Sequence, residues 1–256
     1  MKIRILQLIE GAKKAQGLTV IIDVFRAFSQ ACYVFNNGVE RIIPVGSLET
    51  AYGLKEKNGD FILMGERKGK ILPGFDYGNS PAQIQGVDFR GQTLIHTTSS
   101  GTQGIVNALQ ADEIITASFV NARAVANYIK EKEPAVVSLV AMGTAGIEPG
   151  IEDILCAYYI KDLLLHLPSD GREITLEIDE EVAAIYQEFT GGARPGEEEI
   201  REILRKTSGR RFFDPANKDW SPAEDFALCL QFNRFDFILK ANHYTEGLYY
   251  LKKVSI

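Results

Sequence analysis

The chain has 256 residues, of which 45% are hydrophobic, enough to bury a sizeable core and to exclude a disordered segment. A formal net charge of -6 leaves no general basic face, so no nucleic-acid partner is expected. No apolar run reaches the roughly 18 residues of a membrane span and Met1 to Glu10 shows no signal-peptide pattern, so a soluble, cytoplasmic protein with no membrane partner is expected.

In chain order, short apolar runs rich in Ile and Val predict strands at 3–8, 18–23, 41–45, 60–65, 92–97, 113–116 and 135–141. Helices are expected between them at 27–36, stopped by Asn37-Gly38, and at 101–109 and 120–132. Ser80-Pro81-Ala82-Gln83 opens a further short helix with an N-cap and a first-turn proline. This alternation implies βαβ units, a largely parallel sheet and a three-layer α/β/α fold. A closed barrel of strands and helices is the alternative.

After Gly150 the rhythm changes. Helices are expected at 151–167, 179–189 and 196–206, a strand at 174–178, and a last helix behind the capping box Ser221-Pro222-Ala223-Glu224. The chain thus reads as an α/β core over 1–168 carrying a smaller α-rich C-terminal subdomain over 169–256. Tyr249, Tyr250 and Leu251 either seal a homodimer or close the core. Cys32, Cys156 and Cys229 are too few and too scattered for a disulfide scaffold and read as buried thiols in a reducing compartment.

The chemistry gathers at strand ends. Val20-Ile21-Ile22 runs into Asp23 and then Arg26, and Phe61 to Met64 runs into Gly65-Glu66-Arg67-Lys68-Gly69-Lys70. Ligands of open α/β sheets bind outside the carboxyl ends of parallel strands, so these tips point to one site for an anion and a hard cation. Asp23 and Glu66 supply oxygen donors that suit Mg²⁺. Arg26, Arg67 and Lys68 supply cations for phosphate, although an ion pair between Asp23 and Arg26 explains those two equally well. Thr97, Thr98, Ser99, Ser100, Gly101 and Thr102 combine hydroxyls and glycine just ahead of a helix, where main-chain N–H groups converge on an anion or simply cap the helix. Asn79 joins them as a substrate contact. Ser80, Ser118 and Asn121 read first as caps, with Asn121 kept as a candidate contact. Glu152 and Asp153 open the helix at 151; dipole compensation accounts for them, and they also stand as further carboxylates for the cation or for proton transfer. The three histidines show no ligand spacing.

Familiar phosphate chemistries fail on spacing. No GxxxxGK[ST] occurs. Six positions after each cysteine stand Gly38, Asp162 and Phe235 where a tyrosine-phosphatase arginine would be, and Phe25 occupies the second aspartate position of an Asp-x-Asp motif.

Ile22-Asp23-Val24-Phe25-Arg26-Ala27, Met64 to Gly69, Pro73-Gly74-Phe75-Asp76-Tyr77-Gly78-Asn79-Ser80-Pro81 and His96 to Thr102 together resemble the 2-phosphosulfolactate phosphatase family. So do Ser118 to Ala122, Glu152-Asp153-Ile154-Leu155-Cys156-Ala157, and Asp225-Phe226 with Cys229, in order over roughly 19 to 236. One departure is that Tyr158 and Tyr159 stand where an acidic residue is expected beside Cys156-Ala157. The resemblance implies a Mg²⁺-dependent α/β phosphatase that converts (2R)-phospho-3-sulfolactate to 3-sulfolactate, a step toward coenzyme M. It further implies functional roles for Asp23, Glu66, Arg67, Asn79 and the 97–102 loop. Metal ligation is then expected from Asp23, Glu66 and Glu152. The attacking group is either water activated by a carboxylate such as Asp153 or Asp23 itself as a covalent nucleophile.

Overall fold

The computed structural model describes residues 1–166, 173–245 and 247–256. The first half alternates as β1 (Lys2–Gln7), α1 (Leu8–Lys14), β2 (Gly17–Ile22), α2 (Ala27–Asn36), β3 (Arg41–Pro44), α3 (Leu48–Lys57), β4 (Ile62–Arg67) and β5 (Lys70–Ile71). It continues through β6 (Thr93–Thr97), α4 (Gly101–Asn107), β7 (Ala111–Ala117), α5 (Ala122–Lys132) and β8 (Val136–Ala141). The remainder comprises α6 (Ile151–His166), β9 (Thr175–Ile178), α7 (Glu180–Thr190), α8 (Glu197–Lys206), α9 (Ala223–Cys229), β10 (Phe237–Thr245) and β11 (Leu248–Ser255).

All the strands join one sheet in the order β5-β4-β6-β3-β11-β10-β7-β2-β8-β1-β9. Within the described residues β5 and β9 end it without meeting, so the sheet is open and the alternative of a closed barrel is not formed. Two parallel groups, β9-β1-β8-β2-β7 and β3-β6-β4, are joined by the antiparallel hairpin β10-β11. β2 is buried on both faces, which is why it reads as a continuous run, Leu18 to Ile22, rather than an alternating one.

Three apolar clusters show how the sheet lies. On the outer face of the first group, Ile3, Ile5, Val20 and Ile22 pack against Val125 and Ile129 of α5, Ile154 and Ile160 of α6, Val182 of α7 and Leu204 of α8. On the outer face of the second group, Ile43, Val45, Leu63 and Ile95 meet Ala51 of α3. The inner faces of both groups share one cluster: Ile21 and Val140 from one, Ile42, Met64 and Leu94 from the other, with Phe28 of α2 and Ile105 of α4 between them. The sheet therefore curls around α2 and α4, with helices on both faces, and the carboxyl ends of β2 and β6 come within hydrogen-bonding distance. Burying an aliphatic side chain of this kind contributes about 1.5–3 kcal/mol.

Several local expectations need correction. The run read as a strand to residue 8 ends at Gln7, because Leu8 adopts a left-handed φ of 64° and starts α1. No element was expected at α3, β5, β10 or β11. Ser221 does not cap α9: the residue ahead of the helix is Pro222, and the Ser221 hydroxyl has no partner. The division expected between 168 and 169, and the end of the helix expected at 167, lie outside the described residues. The C-terminal third carries helices as expected but also the hairpin at the middle of the sheet. Leu251 is buried in the shared inner cluster with Tyr249, partly buried, packed on it, and Tyr250, also partly buried, packs on the outer cluster. Tyr158 stacks on Tyr186 at 3.6 Å and Tyr159 donates to Glu197, so both bind α6 to its neighbouring helices. No described helix is long and apolar enough to cross a membrane.

Candidate active site

The ends of β2, β4, β6 and β8 converge on a cavity of about 280 Å³. Asp23, Arg26, Glu66, Lys68, Asn79, Ser99, Ser100 and Glu152 line it. So do Gly143, Thr144 and Ala145 after β8, and Arg211 and Trp220 from the C-terminal third.

Each carboxylate at the strand ends is held by main-chain N–H groups. Asp23 follows β2, and its Oδ1 accepts from Ala27 N at 3.1 Å, in the first turn of α2, while Oδ2 accepts from Gly101 N at 2.8 Å, in the first turn of α4. Both helix starts favour negative charge. Glu66, near the end of β4, accepts from Ser99 N at 2.7 Å and Gly69 N at 2.6 Å, and from the Ser99 hydroxyl at 3.2 Å. Two glycines make this turn possible. A Cβ at Gly65, where φ is 149°, would lie 2.0 Å from Thr97 O, and one at Gly69, where φ is 80°, would lie 2.3 Å from the Trp220 ring.

The hydroxyl-rich loop after β6 is thus an anion-binding loop whose main-chain groups hold the protein's own carboxylates. Its hydroxyls are engaged as well. Thr98 and Thr102 bond each other's main chain, Ser100 Oγ bridges Gly143 O and Gly146 N, and Thr97 Oγ1 accepts from Arg67. Arg67 also donates to Glu66 O, and neither it nor Thr97, Thr98, Gly101 or Thr102 lines the cavity.

Asp153 and Asn121 lie behind the site. Asp153 Oδ1 accepts from Val24 N at 2.7 Å and Oδ2 from Gly143 N at 2.8 Å, so this side chain ties the loop after β2 to the loop after β8. Asn121 Oδ1 accepts from Ser118 N at 3.0 Å and its Nδ2 donates to Thr116 O at 3.3 Å, so its side chain is spent on the main chain. Glu152, next to Asp153 in α6, is different: the side chain lines the cavity and its Oε2 is buried without a hydrogen-bond partner. Asn79 Oδ1 is in the same condition.

Arg26 does not pair with Asp23. It is fully buried against the equally buried Asp225, with Nη1 donating to Asp225 Oδ2 and to Trp220 O, both at 2.6 Å, and Nη2 to Gly69 O at 3.2 Å. Asp225 Oδ1 also accepts from the Ser80 hydroxyl and Ala82 N, which fixes the turn carrying Asn79. Arg26 therefore fastens the C-terminal segment onto the strand-end loops.

Arg211 and Trp220 escaped the sequence reading. Arg211 lies in a 3₁₀ turn, Ser208–Phe213, that no hydrophobic period announces, and Arg210-Arg211 reads there as ordinary helix-end charge. Asp225 appears in the family motif without a role attached to it.

The electrostatics follow from burial. Asp23 is pushed up to about 7 by desolvation, partly offset by the Ala27 N–H, with the charges of Glu66 and Glu152 adding to the rise. Asp153 is raised by desolvation and then by the charges of Glu152 and Asp23. His96 is pulled down to about 4 by burial and by the Arg67 charge, and both its ring nitrogens lack partners, so it sits neutral at the end of β6. Because Arg26 is matched by Asp225, three cavity carboxylates face only Lys68 and Arg211 as unpaired cations among the described residues. Such a wall attracts positive charge. No described group of three or more His, Cys, Asp or Glu is arranged to chelate a metal ion. The all-oxygen donors, the orphaned Glu152 Oε2 and the raised Asp23 nevertheless fit a hydrated Mg²⁺, which is typically held by one or two carboxylates and several waters.

A curled α/β sheet with a carboxylate-lined cavity at its strand ends and cations at the rim defines an anion-handling enzyme site. Residues 3–243 match the family model for 2-phosphosulpholactate phosphatase. A probable 2-phosphosulfolactate phosphatase of Carboxydothermus hydrogenoformans is 33% identical over 248 residues, covering 96% of this chain and 95% of that protein. Proteins described in the same words from Bacillus subtilis and Clostridium perfringens are 29% and 37% identical, covering 87% of this chain each and 86% and 85% of their own lengths. The chain belongs to the 2-phosphosulpholactate phosphatase family, and so to the phosphoric monoester hydrolases.

Proposed function

We propose that this protein hydrolyses the phosphate monoester of a small 2-hydroxy acid, (2R)-phospho-3-sulfolactate, to 3-sulfolactate and phosphate, with Mg²⁺ as cofactor. The observation that carries the reading is the meeting of Asp23, Glu66 and Glu152 with Lys68 and Arg211 in one cavity. Its volume of about 280 Å³ lies at the small end of ligand pockets and suits a compact metabolite rather than a nucleotide or peptide. The names of the relatives supply the particular substrate.

One or two of Asp23, Glu66 and Glu152, with waters, would hold the ion. When bound, Mg²⁺ supplies charge neutralisation at a non-bridging phosphoryl oxygen. Asp23 is oriented before substrate arrives, because both its oxygens are fixed by helix-start N–H groups. Raised to about 7, it holds or releases a proton near neutral pH, which suits either a base or a nucleophile that a cation has returned to the charged form. Asp153 takes neither part in this proposal, since it does not line the cavity; it positions the loops after β2 and β8. Lys68, exposed at the rim, is free to meet the distal acid group of the substrate, and Asn79 offers Oδ1 toward hydrogen-bond donors. A cytoplasmic setting belongs to the same proposal and is supported by three free, buried cysteines.

A panel of phosphorylated lactate, malate, sulfolactate and sugars, assayed for inorganic phosphate with and without Mg²⁺, tests the reading. Fastest release from the sulfolactate ester is expected. Tight binding of that ester with no release from any of the panel would show a binding module instead.

A further inference from the structure

Two arginines reach the cavity, and only one has donors to spare. Arg26 spends Nη1 and Nη2 on Asp225, Trp220 O and Gly69 O. Arg211 donates Nη2 to Phe25 O at 2.7 Å, while its Nε is buried with no partner. No described carboxylate forms an ion pair with it. A buried donor left unmatched is costly, and an arginine without a counter-ion is costlier still. Its placement is nonetheless firm. The guanidinium stacks over Phe212 at 5.2 Å, Asn217 Nδ2 donates to Arg211 O at 3.1 Å, and Phe25 O anchors one end of the fork. Arg26 lies 5.9 Å from the same ring, so Phe212 seats both cations beside the carboxylates.

The geometry points to Arg211 as the residue that grips the phosphoryl oxygens of the substrate, through Nη1 and the Nη2 hydrogen that Phe25 O does not take. Arg211 lines the same cavity as Asp23, Glu66 and Glu152, the carboxylates beside which the phosphoryl group would sit if they held a cation. Lys68 lies on the exposed rim and takes the other end of the substrate. A planar fork matches phosphate at two points where a lysine offers one, so lysine is an incomplete replacement. This assignment rests on the phosphatase reading and adds a residue to it.

Inorganic phosphate is the probe. Wild-type protein, R211Q, R211K and the surface control R90Q, each with Mg²⁺, are titrated with phosphate by calorimetry, and turnover of the sulfolactate ester is measured alongside. R211Q should bind phosphate about 10–100-fold more weakly, R211K should recover part of the loss, and R90Q should match wild type. R211M, which keeps the apolar stem, replaces R211Q if the melting temperature shows that variant to be unfolded. A folded R211Q or R211M with wild-type phosphate affinity, in a protein that still hydrolyses the ester, would overturn the assignment and leave the phosphatase reading standing. Loss of phosphate binding in R211Q from a wild type that hydrolyses nothing would support the assignment and remove the hydrolase reading. A wild type that binds no phosphate would end both.

Discussion

The two walls of the cavity are made in different ways. On the strand-end wall, Asp23 and Glu66 are pinned by main-chain N–H groups from loops that the sheet itself positions. On the C-terminal wall, Arg211 and Trp220 come from irregular chain between 145 and 197 residues downstream of Glu66 and Asp23, and one buried ion pair, Arg26–Asp225, fastens that chain to the strand ends. Asp23, Glu66 and Lys68 thus depend on the strand ends, and Arg211 on docking of the C-terminal segment. Breaking a wall and breaking the docking should look different in experiment.

The largest effect is expected at the fastening. Asp225→Ala leaves Arg26 charged, buried and unpaired, and should cost about 3–5 kcal/mol in urea unfolding, whereas exchange of an exposed pair such as Lys206 with Glu202 should cost under about 1 kcal/mol. An equal, small effect at both would mean that the C-terminal wall is held by something else.

The strand-end wall should show itself in pH dependence. In protein stripped of metal, the Asp23 carboxyl near 7 lies above its unfolded value of 3.8. The folded state therefore binds the extra proton between those values. Stability from this group is fully present below about pH 4, falls as pH rises, and is gone above about pH 7, a change on the order of 4 kcal/mol. Asp23→Asn should flatten that slope in thermal melts, and Mg²⁺ should oppose it by favouring the carboxylate. A slope unchanged in the variant would assign the titration elsewhere.

For turnover, Asp23→Asn and Glu66→Gln should each lower kcat/KM by about 10²–10³-fold with the fold intact, the loss typical of a preorganised electrostatic group. Asp153→Asn should be milder for chemistry and visible in stability, because it exchanges one of two main-chain acceptors for a donor facing an N–H. The smallest effect is expected at Lys68→Ala, a few-fold rise in KM, since the side chain is exposed and screened by solvent.

The difference between the walls also explains what the sequence revealed. Runs such as Leu18 to Ile22 that end in a charged residue announce a buried strand and its tip, and Asp23, Glu66 and Lys68 at such tips line the cavity; Asn79, Ser99, Ser100 and Glu152, which also line it, stand out instead as a turn, a hydroxyl-rich loop and a helix start. The loop at 97–102 was read as binding anions, and its partners proved to be Asp23 and Glu66 rather than solvent-borne groups. The hairpin at 237–255 is hard to read because Lys240, Asn242, Lys252 and Lys253 interrupt its apolar residues; its strands pair chiefly with each other and meet β7 and β3 only at Leu239, Lys240 and Leu251. That hairpin joins the two parallel groups of the sheet. Arg211 stayed hidden for a related reason: a 3₁₀ turn has no period to read, and its neighbours in the cavity are joined to it only by tertiary packing.

The most direct test is release of inorganic phosphate from (2R)-phospho-3-sulfolactate by the purified protein, first after treatment with EDTA and then with Mg²⁺ restored. Release that vanishes on chelation, returns with Mg²⁺ and is lost in Asp23→Asn is the result expected of a cavity that unites both walls around one phosphoryl ester. Release that continues undiminished in metal-free protein and in Asp23→Asn would contradict it.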